Sequence, residues 1–189
     1  MRKRKTFIVM IIFLAVLVLG VGYAAISNIT LNLNGTANIK ANADFSVVYD
    51  TTHTVGKSTN DTVAWAENNN QPVVAGAYTN TTTATMTVYL DSSHSSAYAI
   101  YKVDNNSSEL GATLAANVTQ VSGNNAQYFD AITAAYYTDA NCTTALSGTL
   151  AHGQSAYLKV TVSLAKSPIN DVSGATFSVT TTATPQEAS

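Results

Sequence analysis

The chain has 189 residues, with nine Lys and Arg against eleven Asp and Glu, three His and one Cys, and only 11 % of its residues are charged. That length limits it to one domain plus any leader. The single cysteine excludes an intramolecular disulfide, and the few basic residues of the body of the chain lack the clustering that nucleic acid demands.

The first predicted element is apolar. Arg2-Lys3-Arg4-Lys5 precedes a run from Phe7 to Ile26 broken only by glycines and Tyr23. A basic start, an apolar middle and a small-residue end read as a secretory signal peptide over residues 1–24, an apolar helix cut between Ala24 and Ala25. Gly22 and Ala24 supply the small residues at the −3 and −1 positions. The run is also long enough to span a bilayer, so a retained anchor is the alternative. Cleavage leaves residues 25–189 as a single domain with five Lys, no Arg and eleven acidic residues, a net charge of about −6. Such a balance favours solubility outside the cell. No lipobox cysteine follows the cleavage point, and the end Thr184 to Ser189 carries neither a sorting motif nor an apolar tail. The expectation is a protein secreted to the extracellular matrix or cell surface, touching membrane only through its signal segment.

The rest of the chain predicts an all-β domain. Thr, Val and Tyr favour strands, Asn, Ser and Gly favour turns, and the residues from which long helices are built are scarce. Ile29 to Leu33 alternates apolar and polar, followed by Asn34-Gly35 and a candidate strand Thr36 to Ile39. Phe45 to Tyr49 is a compact strand, Asp50 to Asn60 a loop, and Thr62 to Trp65 a short strand before an Asn-rich turn, Glu67 to Pro72. In Thr81 to Leu90, the side chains of Ala84, Met86, Val88 and Leu90 share one face. In Ser95 to Val103, Ala97, Ala99, Tyr101 and Val103 oppose Tyr98, Ile100 and Lys102. Asp104 to Ser108 reads as a turn. Leu110 to Val121 is strand or loop, and Tyr128 to Tyr137 strand or short helix. Ala145 to Gly153 holds two turn glycines. Ser155 to Leu164 alternates cleanly, Pro168 marks a loop, and Ala175 to Ala183 closes the domain with Phe177, Val179 and Thr181 on one face. Eight or nine short strands at this spacing predict a jelly-roll-like antiparallel β-sandwich.

Catalytic chemistry is not legible. His53, His94 and His152 lie in separate polar segments without a second ligand at metal spacing, and there is no calcium loop, phosphate loop or nucleophile elbow. Cys142 has no partner base nearby and reads as a half-buried residue beside a turn. The expectation is a non-enzyme with no cofactor, metal or catalytic residues. The tyrosines, among them Tyr98, Tyr101, Tyr128, Tyr136, Tyr137 and Tyr157, read as sheet-face packing, with a sticky surface as the alternative.

Gly20 to Ser27 followed by Leu31-Asn32-Leu33-Asn34-Gly35-Thr36-Ala37 resembles the start of the TasA/camelysin family of exported Gram-positive proteins. Leu150 to Ser155 leading into Tyr157 to Val162 is similar to a late segment of that family, with His152 where the family has Pro. The ending Ala175 to Gln186 is also similar, and the middle, Thr51 to Asn141, carries no resemblance. The resemblance implies a jelly-roll subunit of biofilm-matrix fibres, processed by a dedicated signal peptidase. It also implies self-association into filaments, the N-terminal strand of one subunit completing the sheet of the next. By position the donor is residues 25–33, with Ile29, Leu31 and Leu33 as anchors. Asn34-Gly35 is equally a hairpin signal, so the same strand could fold back on its own domain and leave a monomer. An adhesin or other binding module at the cell surface is a further alternative. A camelysin-like metalloprotease finds no zinc motif here.

Overall fold

The computed structural model describes residues 29–32, 45–65, 69–119, 121–123, 126–130, 132–166 and 176–187. The expected signal helix, Ala24, Ala25, Leu33, the candidate strand Thr36 to Ile39 and Pro168 lie outside the described residues. Within them the fold is all-β. In chain order the strands are β1 (Ile29–Asn32), β2 (Val47–Tyr49), β3 (Gly56–Lys57), β4 (Thr62–Trp65), β5 (Asn69–Pro72), β6 (Val74–Asn80) and β7 (Thr83–Val88). They continue with β8 (Ser96–Asn105), β9 (Gly111–Val118), β10 (Thr133–Tyr137), β11 (Thr149–Leu150), β12 (Ser155–Ser163) and β13 (Val179–Gln186). A 3-10 turn, Ala126–Tyr128, precedes β10.

Two sheets share one core. The first has the order β11-β9-β13-β1-β7-β6, and the second runs β10-β12-β8-β2 with β3 also paired to β8. Pairing is antiparallel throughout except where β1 meets β7. The centre of the second sheet is the β8–β12 pair, in register over nine residues from Ser96 opposite Ser163 to Asp104 opposite Ser155. Strict alternation makes this pair. Ala97, Ala99, Tyr101 and Val103 on β8, and Ala156, Leu158, Val160 and Val162 on β12, are all buried, while their neighbours face outward. Fully burying a Val or Leu side chain stabilises by about 1.5–3 kcal/mol, so two such strands form the densest part of the core.

Polar links then join the two layers. Tyr101 reaches from β8 to the first sheet, its hydroxyl donating to Thr85 O at 2.7 Å. The amide of Tyr49 donates to Thr81 O at 2.8 Å. Asn105, fully buried at the end of β8, donates through Nδ2 to Leu110 O at 3.0 Å and Leu150 O at 3.1 Å, and its Oδ1 accepts from the Ser107 amide. Each of those partners would otherwise be a buried, unpaired group costing about 1–3 kcal/mol.

The structure departs from the sequence expectations in local ways. Asn69–Pro72 is a strand because it pairs with β4, a partner that supplies the ladder its own propensity does not favour. Thr81 and Thr82 form the turn between β6 and β7, held by Asn80, whose side-chain oxygen accepts from the Thr82 amide at 2.8 Å. Gly56–Lys57, inside the expected loop, pairs with β8; a Cβ on Gly56 would approach Ile100 to 3.1 Å. Asp104 and Asn105 extend β8 rather than turning, and Gly111–Val118 resolves to strand. Tyr128 to Tyr137 divides into the end of the 3-10 turn and β10. Gly148 and Gly153 do take positive φ, +85° and +69°, as turn glycines should.

Candidate assembly site

β1 is the first of the described strands in sequence, yet it lies inside its sheet. It pairs antiparallel with β13, setting Ile29 opposite Ala183, Thr30 opposite Thr182, Leu31 opposite Thr181 and Asn32 opposite Thr180. Its other flank meets β7 in parallel, at Asn32 opposite Thr83. The two described partners of β1 therefore come from distant parts of the chain.

The ladder direction of β13 can be read from its other neighbour. Thr119 N donates to Ser178 O at 2.9 Å, in the same register that pairs Val179 with Val118 through to Gln186 with Gly111. Hydrogen-bonding direction alternates along a strand. The even-numbered residues of β13 therefore address β9, while Val179, Thr181 and Ala183 direct their main-chain N–H and C=O toward β1. The side chains of those three residues are fully buried. Positions 29 and 31 thus fall in hydrogen-bonded pairs whose β13 members face the core.

In the core lies an aromatic cluster. Tyr49, Tyr78 and Tyr101 pack with ring centroids 5.7–6.2 Å apart. Tyr78 Oη accepts from the Lys102 amide at 2.8 Å. The Tyr49 and Tyr136 hydroxyls are buried without a well-formed hydrogen bond, and both face the Thr181 hydroxyl. Burial pushes both phenols well above their usual range, and the threonine offsets that only in part. On the outer face of β8, Lys102 Nζ lies 2.8 Å from Asp50 Oδ2 and 3.2 Å from Asp104 Oδ1. The hydrogen bond from Lys102 holds the Asp50 carboxyl below the usual carboxylate range, and the same bond raises the ammonium.

Ile29 and Leu31 come together here on β1. Ala24, Ala25 and Leu33 lie outside the described residues. Tyr49, Tyr136 and Thr181 were not legible as a group, since they come from β2, β10 and β13. The one sequence signal was the alternation of Phe177, Val179 and Thr181, which sets a threonine on an apolar face.

The remaining chemistry-bearing residues are dispersed. Among the described residues no group of three or more His, Cys, Asp and Glu side chains is placed to hold a metal ion. His94 lies between Asp91 at 3.1 Å and Asp61 at 3.4 Å. Cys142 is buried in a loop closed by the Asp139 carboxylate, which accepts from the amides of Asn141, Thr143 and Thr144, and burial raises its thiol. Tyr101 and Tyr136 are core residues, whereas Tyr98 and Tyr157 lie half-exposed on the outer face of the second sheet, with Lys159 Nζ 4.1 Å from the Tyr98 ring. An apolar cleft of about 360 Å³ opens between Val118, Phe129 and Ile132. No helix among the described residues is long and apolar enough to cross a membrane. The chain matches no protein-family model, no curated protein and no solved structure.

Proposed function

We propose that the protein is an exported structural subunit of extracellular matrix fibres, assembling by strand donation, with residues 25–33 of one copy completing the first sheet of the next. The observation that carries this reading is the place of β1. A strand at a sheet edge can leave without consequence for its neighbours. β1 is interior, so its departure would divide the first sheet into β11-β9-β13 and β7-β6 and open a slot with unpaired main-chain groups on both sides. Such a slot accepts an extended segment with alternating apolar residues, the ladder giving affinity and the buried positions giving selectivity. Ile29 and Leu31 stand opposite buried Ala183 and Thr181, and each apolar side chain fully buried contributes about 1.5–3 kcal/mol before ordering costs. The contact is head-to-tail and does not close, so it yields a filament. The reading agrees with the resemblance to the TasA/camelysin fibre subunits, with their jelly-roll fold, biofilm setting and signal-peptidase processing, and with an extracellular location.

Electron microscopy of the purified protein, from which the signal has been removed, tests it. Filaments are expected, and deletion of residues 25–33 should abolish them, while a synthetic peptide of that segment should bind the truncated domain. Filaments that persist after the deletion would overturn strand donation. A protein that stays monomeric at all concentrations would leave β1 as an ordinary internal strand. The half-exposed Tyr98, Tyr157 and Lys159 face favours a second reading, a surface binding module, which predicts ligand binding by the monomer and its loss in Tyr157→Ala.

A further inference from the structure

The apolar alternation of residues 29–33 fixes the pairing only in part. A slip of one residue carries the apolar set to the wrong face and is excluded. A slip of two preserves the apolar–polar alternation of the strand against its partner, so the pattern by itself does not choose between registers. Pro185 supplies the missing choice. It lies in β13 two residues beyond Ala183, and by the alternation set by Thr119 and Ser178 it belongs to the series that addresses β1. Proline has no N–H, and it occurs within sheets where no ladder bond is asked of it. On the β9 side Pro185 costs nothing, because its register partner Ala112 forms a non-hydrogen-bonded pair with it. On the β1 side it ends the row of donors formed by Val179, Thr181 and Ala183.

We infer that Pro185 is the register stop of the slot, a specificity-determining residue that keeps Ile29 opposite Ala183 and prevents a two-residue slip that would bring Ile29 opposite Pro185. The inference deepens the strand-donation reading and rests on it for its use in assembly, but the register it sets applies equally to a strand that stays in its own domain. In the slipped arrangement the carbonyl of residue 29 faces a proline nitrogen and loses its bond. A slip in the opposite direction moves the four residues of β1 further from Pro185.

Cross-linking reads the register directly. Thr30 opposite Thr182 is a non-hydrogen-bonded pair, with Cα atoms about 4.5 Å apart, within disulfide range. In a Cys142→Ser background, Thr30→Cys is combined with Thr182→Cys for the observed register. Thr184→Cys reports the slip toward Pro185, and Thr180→Cys the slip away from it. With Pro185 present, oxidation should join the first pair and leave the second nearly unjoined. Pro185→Thr, or Pro185→Ala should the first variant fold poorly, restores one main-chain donor. It should raise the Thr30→Cys/Thr184→Cys cross-link about two- to tenfold and leave the Thr30→Cys/Thr180→Cys cross-link unchanged. Equal increases in both would mean general loosening of the sheet and overturn the inference, as would no increase in either. The two readings separate on the same gel. Cross-links between chains, seen as a ladder, report strand donation, whereas cross-links within one chain count against it and still measure the effect of Pro185.

Discussion

The two sheets are held by different kinds of pairing. At the centre of the second sheet, β8 and β12 run together for nine residues, and every second side chain on both enters the core. At the centre of the first sheet, β1 pairs with β13 over four residues and with β7 at a single position. The first arrangement is a permanent wall. The second joins two half-sheets through one short strand.

Breaking the wall should have the largest effect. Leu158 is fully buried between the layers, and Leu158→Ala should destabilise the domain by about 2–5 kcal/mol in urea unfolding. Asn105→Ala should follow at roughly 2–3 kcal/mol, because it leaves Leu110 O, Leu150 O and the Ser107 amide without their partner. A change at β1 should instead act locally. Leu31→Pro removes the amide directed at Thr181, and hydrogen exchange should then quicken at Thr181 and Ala183 while Tyr101, Val103 and Val160 keep their protection. Uniform loss of protection would show that β1 belongs to the same cooperative unit as the wall.

The tyrosines sharpen the comparison at smaller scale. Tyr101→Phe removes the bond that ties β8 to the Thr85 carbonyl and should cost about 1 kcal/mol in thermal unfolding. Tyr136→Phe removes a buried hydroxyl that lacks a well-formed bond, and should be neutral or stabilising by up to about 1 kcal/mol. A marked loss of stability there would mean that the contact with Thr181 counts as a full hydrogen bond.

The smallest effects are those of pH. The Asp50 carboxyl is lowered chiefly by the hydrogen bond from Lys102, and Asp139 chiefly by the Thr144 amide. A lowered carboxyl stabilises above its unfolded pKa, about 3.9, and loses that contribution as pH falls through the folded value. Lys102 and the buried phenols are raised, so their contributions hold below about pH 10 and fade above it. The melting temperature should therefore be flat from about pH 5 to 9 and fall on both sides. In Lys102→Met the acid limb should become shallower, because the Asp50 carboxyl then loses the chief cause of its lowering.

The wall was readable from the chain. The alternation in Ser95 to Val103 and Ser155 to Leu164 separates the two faces of β8 and β12, and the glycines at 148 and 153 mark turns. β6 carries no clear strand signal of its own, because Val74–Asn80 mixes Gly, Ala and Asn and gains its strand from pairing with β7. β5 was read as a turn for a similar reason. At the candidate site the pattern of Ile29 and Leu31 was legible, and so was the face carrying Thr181. Their meeting was not, since the register joins residues some 150 positions apart, and nothing local in either segment encodes the other.

The amino-acid sequence alone determined the all-β class, the alternation of each long strand and the absence of an internal disulfide, because these follow from side-chain period and composition. Tertiary structure decided the rest. It chose which strands became neighbours, set β1 inside a sheet rather than at its edge, brought Tyr49, Tyr136 and Thr181 together in the core, and turned the nitrogen of Pro185 to the β1 side of β13. Strand order and ladder direction are properties of pairs, and a pair exists only once the chain has brought its two members together.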